Sequence, residues 1–171
     1  MLRRKRKVRR GNRKHTQNIK LFYCNINGLK TKQGSLTQIC ERINPKVIIL
    51  CETKLPSDRL IKKLLPTYEI TSRPTKLGQS GLAIAVKKQT FNSVLDVTSS
   101  SHNNILVTRI GLDETKAVRV ILGYAPQETG NADDREHFFT ELNIEITESK
   151  LAGDLPLVMG DMNAKIGRSH R

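Results

Sequence analysis

The chain has 171 residues, with 30 Lys and Arg against 16 Asp and Glu, for a formal net charge of +14. That length suits one domain and leaves little room for two. A hydrophobic content of 37 % is enough for a core, but the longest wholly apolar run, Val47 to Cys51, is far short of the about 20 residues that a membrane-spanning helix needs.

The charge is concentrated at the N-terminus. Arg3, Arg4, Lys5, Arg6, Lys7, Arg9, Arg10, Arg13 and Lys14 supply nine positive charges before His15, with no acid among them, which leaves +5 for the rest. With only Leu2 and Val8 to bury, residues 1–17 are expected to form a solvated basic arm ahead of a single folded unit, 18–171. The arm has neither the apolar stretch of a secretory signal nor the amphipathic face of a mitochondrial presequence. It suits contact with nucleic-acid phosphates or an address to the nucleus, and so an intracellular protein; a merely solubilising tail is the alternative.

Ile19 to Asn25 is short, rich in β-formers and reads as a strand, and Gly28 and Gly34 bracket a loop. Leu36, Ile39, Cys40 and Ile43 then recur on one helical face. Ser35 with Gln38 forms a capping box at the start of that helix, and Pro45 stops it. The β-branched run Val47 to Cys51 predicts a buried strand. A helical turn over Asp58–Leu65 and a strand over Tyr68–Ser72 follow.

From Gly81 the pattern is strand after strand: Leu82–Val86, Ser93–Thr98, Ile105–Ile110 and Val118–Tyr124, each short and bounded by turn residues, as in an antiparallel sheet. Asp133 with Glu136 predicts a second capping box. The helix after it places Phe138, Phe139, Leu142 and Ile146 on one face and Glu141, Glu145 and Glu148 on the other. Leu155–Met159 is the last strand. Many strands covered by two helices imply an α+β fold or a layered α/β/β/α arrangement. Cys24, Cys40 and Cys51 have no metal-pair spacing and read as buried, reduced thiols.

Four strands run directly into polar residues. They end in Asn25-Ile26-Asn27-Gly28, Glu52-Thr53-Lys54, Tyr124-Ala125-Pro126-Gln127 and Gly160-Asp161-Met162-Asn163. Taken singly, each has a bland reading as a turn or a solvated strand end. If the four ends share one rim, that rim gathers Asn25, Glu52, Tyr124, Asp161 and Asn163. Carboxylate and amide oxygens suit Mg²⁺, with Mn²⁺ as the alternative ion. A phenol and amides suit phosphate oxygens, and a carboxylate can accept a proton from an attacking water. The combination points to metal-assisted phosphodiester hydrolysis.

The runs N-I-N-G-L, E-T-K, G-Y-A-P-Q and M-G-D-M-N-A-K-I-G resemble the endonuclease/exonuclease/phosphatase superfamily over about Ile19 to Gly167. Within it, G-L-A-I-A-V and the acidic helix before L-V-M-G-D look most like the endonuclease domains of non-LTR (LINE-type) retrotransposons. The resemblance implies a four-layered α/β/β/α sandwich. It also implies Glu52 as Mg²⁺ ligand with Asn25 beside the metal, Tyr124 on the scissile phosphate, Asp161 activating water and Asn163 binding phosphate. The implied partner is DNA, with a reverse transcriptase domain in a full-length element.

The family pattern ends in a late Ser-Asp-His segment. Here Ser169-His170-Arg171 follows too soon after Asn163 to fill that role. The expectation is therefore a C-terminally truncated domain with an incomplete second half and an exposed sheet edge. Loss of the phosphate-binding His should cost several kcal/mol of transition-state stabilisation, since one oriented donor is worth ~2.7–4 kcal/mol. The competing readings are an apurinic-site repair endonuclease, a phosphatase and, from another class, a non-catalytic basic nucleic-acid-binding remnant. Seven Phe and Tyr without a Trp argue against binding by base stacking.

Overall fold

The computed structural model describes residues 19–75, 79–88, 93–96, 100, 102–112 and 115–163. The basic arm and the segment from 164 onward, including Ser169 and His170, lie outside the described residues. Eleven elements follow in order: β1 (Leu21–Asn25), α1 (Leu29–Ile43), β2 (Val47–Cys51), α2 (Arg59–Leu64), β3 (Tyr68–Arg73), β4 (Leu82–Lys87), β5 (Ser93–Asp96), β6 (Ile105–Gly111), β7 (Ala117–Tyr124), α3 (Ala132–Leu151) and β8 (Leu155–Asp161).

They form two four-stranded sheets, ordered β1-β2-β4-β3 and β5-β6-β7-β8. The expected antiparallel pairing holds for β3 with β4 and along β5-β6-β7. By contrast β1 pairs with β2, and β7 with β8, in parallel. A parallel pair cannot close through a tight turn, and α1 and α3 are the crossovers that make each connection.

Alternation along β2 explains why its whole run is buried. Val47, Ile49 and Cys51 face the second sheet and meet Leu106, Ile110, Val120 and Leu122. Ile48 and Leu50 point the other way, against Leu29 and Leu36 of α1 and Ile61 of α2. On the far side, Ile105, Val107 and Ile121 pack under Phe138 and Leu142 of α3. Three apolar layers thus separate four layers of structure, and the α/β/β/α sandwich is the fold of this chain. Strand β8 forms one edge, and its Leu155 and Val158 are exposed.

The structure corrects the sequence reading in three places. Helix α1 begins at Leu29, a turn and a half before the Ser35 capping box. Its early N–H groups are satisfied from another element: Gly28 N–H donates to the Glu52 carbonyl (2.8 Å) and Leu29 N–H to the Thr53 carbonyl (3.0 Å). Burial of Leu29 fixes that start. Helix α3 is capped by Asn131, whose side chain accepts from Asp133 N–H at 3.0 Å, and Asp133 is not the cap. Within α3, Phe139 is exposed while Glu145 is buried. Glu145 faces Arg119 of β7 (3.8 Å), which reaches up beneath the helix. Of the cysteines, only Cys51 is fully buried; burial pushes its thiol up to about 11.

Candidate active site

The two parallel pairs bring their C-terminal ends to one rim. Asn25 ends β1 and Glu52 follows β2, while Tyr124 ends β7 and Asp161 ends β8, and Tyr124 and Asp161 are register partners. Carboxyl ends of parallel strands are where α/β sheets place their ligands. The sandwich does this twice, once from each sheet, and the two sets of side chains meet.

Asn25 is the bridge. Its amide nitrogen donates to Glu52 Oε1 at 2.8 Å and to Asp161 Oδ2 at 3.2 Å. Those two carboxylate oxygens therefore lie within 6 Å of each other. The Tyr124 hydroxyl donates to the same Glu52 Oε1 at 3.1 Å. Lys54 Nζ lies 3.4 Å from Glu52 Oε2 and donates to Asn27 Oδ1 at 2.5 Å. The Asn25 bond holds the Glu52 carboxyl below its ordinary range; burial opposes this, and Tyr124 and Lys54 reinforce it. Tyr124 moves the other way. Burial raises its phenol first, and the neighbouring Glu52 raises it further, so it stays a donor.

Asn163 takes a supporting place in this geometry. Its backbone N–H donates to Asp161 Oδ1 at 3.0 Å, and its side-chain nitrogen donates to the Ala125 carbonyl at 2.6 Å. It also hydrogen-bonds Tyr124. Asn163 thus ties the segment after β8 to the segment after β7. All five residues singled out from the sequence reach the rim.

Backbone geometry sets the aim of these groups. Glu52 and Lys54 both have φ of 53° and Asn163 has 44°, in the left-handed region uncommon for residues with a side chain. Gly160 has φ of 148° and pairs with Gly123. A Cβ on it would lie 1.8 Å from the Gly123 carbonyl oxygen, so only glycine lets β8 approach β7 closely enough to present Asp161. Lys54 and Asn27 were missed by the sequence reading, although both lie inside the runs quoted above. Their contact depends on positive φ at each, 53° and 44°, which no periodicity reveals.

Two carboxylates and an amide oxygen fit the habits of Mg²⁺, which takes one or two carboxylates and keeps several waters. Among the described residues no group of three or more His, Cys, Asp or Glu is arranged to hold a metal. A softer ion caged by protein ligands is therefore a poorer match to this rim.

A two-sheet α/β/β/α sandwich with opposed carboxylates where its parallel strands end defines a class of hydrolase-like folds. Residues 22–168 match the model of the Endonuclease/Exonuclease/phosphatase family, and the chain belongs to that family. Among solved structures it is similar to TDP2 from Caenorhabditis elegans, with 21 % identity, TM-score 0.67 and coverage of 86 % of this chain and 48 % of that one. An AP endonuclease from Archaeoglobus fulgidus gives 16 %, 0.68, 88 % and 60 % in the same order. The 3′ phosphatase NExo from Neisseria, bound to product DNA hairpin, gives 16 %, 0.72, 88 % and 60 %. The chain thus spans about half to three-fifths of the length of these structures. No curated protein matches the sequence.

Proposed function

We propose that this chain is a phosphodiester-cleaving domain that nicks DNA with Mg²⁺, derived from the endonuclease of a non-LTR retrotransposon and working in the nucleus. The observation that carries the reading is the convergence of Glu52 and Asp161 on the Asn25 amide, from two different sheets. The family membership and the DNA hairpin held by the similar NExo phosphatase support a nucleic-acid substrate. The G-L-A-I-A-V run and the acidic helix support the retroelement origin, which makes a reverse transcriptase domain the expected neighbour.

In this reading Asp161 orients a water against the phosphorus and accepts its proton as the new P–O bond forms and the bond to the leaving oxygen breaks. The Tyr124 hydroxyl, kept protonated by burial and by Glu52, turns toward a non-bridging phosphate oxygen. Glu52 and Asn25 would hold the Mg²⁺, which when bound supplies positive charge to the phosphate and the leaving oxygen. The depressed Glu52 carboxyl keeps that ligand ionised into mildly acidic solution. Lys54 holds the Glu52 side chain in place from its other oxygen.

Supercoiled plasmid nicking in Mg²⁺ is the test. Glu52→Gln and Asp161→Asn should each lower the rate at least about a hundredfold while leaving the circular dichroism melt intact, the scale of losing an oriented catalytic group. Unchanged nicking in both variants would overturn the reading. Comparison of intact duplex, abasic duplex and an inositol phosphate separates a general nuclease from a repair enzyme or a phosphatase.

A further inference from the structure

The rim does not end at the carboxylates. In the first sheet it continues from Glu52 to the start of β4 and then to the end of β3. In the second it continues from Tyr124 to the start of β6. The join is direct: Thr53 and Lys54 donate their N–H groups to the Gly81 and Ser80 carbonyls at 3.0 and 2.9 Å, and Tyr124 N–H donates to the Asn104 carbonyl at 2.9 Å. Just beyond these bonds a polar cavity of about 420 Å³ opens between the sheets, lined by Arg73, Thr75, Ser80, Asn103 and Asn104 among others.

Arg73 is the feature of this cavity that the carboxylate site leaves unexplained. Its guanidinium donates to the His102 carbonyl and, at 3.1 Å, to the Ser100 carbonyl, pinning the segment before β6 onto the first sheet. Two bonds leave three of its five N–H donors unspent. Among the described residues Arg73 forms no ion pair with a carboxylate, and no Asp or Glu lines the cavity. A half-buried cation fixed by neutral carbonyls, beside two asparagine side chains and a serine hydroxyl, is a setting built for an anion.

Adjacent strands are spaced by ~4.8 Å, so β4 and β3 place this cavity roughly 5–10 Å along the rim from the strand that carries Glu52. At a rise of ~3.4 Å per nucleotide, that is a reach of one to three backbone steps. We infer that the Arg73 cavity is a second phosphate subsite, which receives the backbone phosphate flanking the scissile one and makes a polynucleotide strand, laid along the rim from β8 toward β3, the substrate class. The inference rests on the phosphodiesterase reading for its first subsite. Arg73 and Asn103 bind the flanking charge, and Asn104 ties that subsite to Tyr124 through its backbone.

The test is equilibrium binding by calorimetry to the full chain in Ca²⁺, with three ligands: the thymidine dinucleotide TpT, the trinucleotide TpTpT, and TpTpT with one linkage made an uncharged methylphosphonate. For the wild type, the second charged linkage should tighten binding about tenfold over both other ligands. Arg73→Gln and Asn103→Asp should each abolish that gain and leave TpT affinity within twofold. Should Arg73→Gln loosen the fold, the exposed Asn103→Asp decides alone. A gain retained in Asn103→Asp, or no gain in the wild type, overturns the subsite. A wild type that shows the gain but nicks no DNA overturns the phosphodiesterase reading and leaves the subsite standing.

Discussion

Gly160 precedes Asp161 and is the most severe steric constraint near the rim. In Gly160→Ala the new Cβ would sit 1.8 Å from the Gly123 oxygen, 2.7 Å from its carbonyl carbon and 2.9 Å from its nitrogen. Ordinary contact begins at 3.4 Å, so the strands must part by about 1.6 Å. All three atoms are backbone of the register partner, so no side chain can swing away. Overpacking of this kind costs about 1–3 kcal/mol, and a side chain at φ of 148° adds about 1–3 kcal/mol of backbone strain. Parting also stretches the Ala125 N–H to Asp161 carbonyl bond, now 2.8 Å, beyond hydrogen-bonding range. The expected loss is about 3–5 kcal/mol, which for a chain of this size lowers the melting temperature by roughly 10 °C or more. The assay is a thermal melt followed by circular dichroism, with plasmid nicking alongside. Gly153 is the control, having φ of 74° but open space at its Cβ; Gly153→Ala should cost about 1–2 kcal/mol. A Gly160→Ala melt within 2 °C of wild type, at full nicking rate, would refute the reasoning.

Gly34→Ala should act in the opposite sense. Gly34 sits inside α1, and an alanine methyl there would meet nothing within 4 Å, so alanine should add about 0.5–1 kcal/mol of stability in a denaturant titration. No gain would argue for a helix starting at Ser35. Asp154→Asn should cost about 3 kcal/mol by the same method, the low end for a broken buried pair, because Arg109 binds both carboxylate oxygens (2.7 and 2.8 Å) but is itself a third exposed. The Arg109 bonds hold the Asp154 carboxyl below its ordinary value, against burial and with help from Arg119. Its contribution is therefore present above the unfolded value of about 3.9 and is lost as pH falls through the folded one. Melts between pH 5 and pH 2 should show an acid loss in the wild type that Asp154→Asn reduces. Tyr124→Phe removes a donor to Glu52, so the Glu52 carboxyl rises and the acid limb of the nicking profile should move to higher pH. A profile that does not move would remove the Tyr124 bond as a cause of that depression.

The errors of the sequence reading share one cause. Helix starts were sought in local capping residues, yet α1 is capped by carbonyls from residues 52 and 53, which no local window contains. Phe139 and Glu145 were assigned to faces by polarity alone. Arg119, rising from β7 toward Glu145 and Asp154, makes a buried acid in α3 tolerable and leaves Phe139 on the outside. Lys54 and Asn27 were present in the strand-end runs, but their hydrogen bond forms only because two backbone segments turn through positive φ.

What the sequence determined by itself was the set of elements and the chemistry at their ends. Alternation and β-branched runs are local, and a polar residue straight after a buried strand must emerge at that strand's edge. Asn25, Glu52, Tyr124 and Asp161 were legible for that reason. Tertiary structure decided that the four edges meet. Two parallel pairs, each closed by a crossover helix, point their carboxyl ends to the same side, and sheet-on-sheet packing brings Asn25 within hydrogen-bond reach of Asp161, 136 residues away. Distance along the chain says nothing about that contact; the three apolar layers impose it, because burying them leaves the sheets one way to face each other.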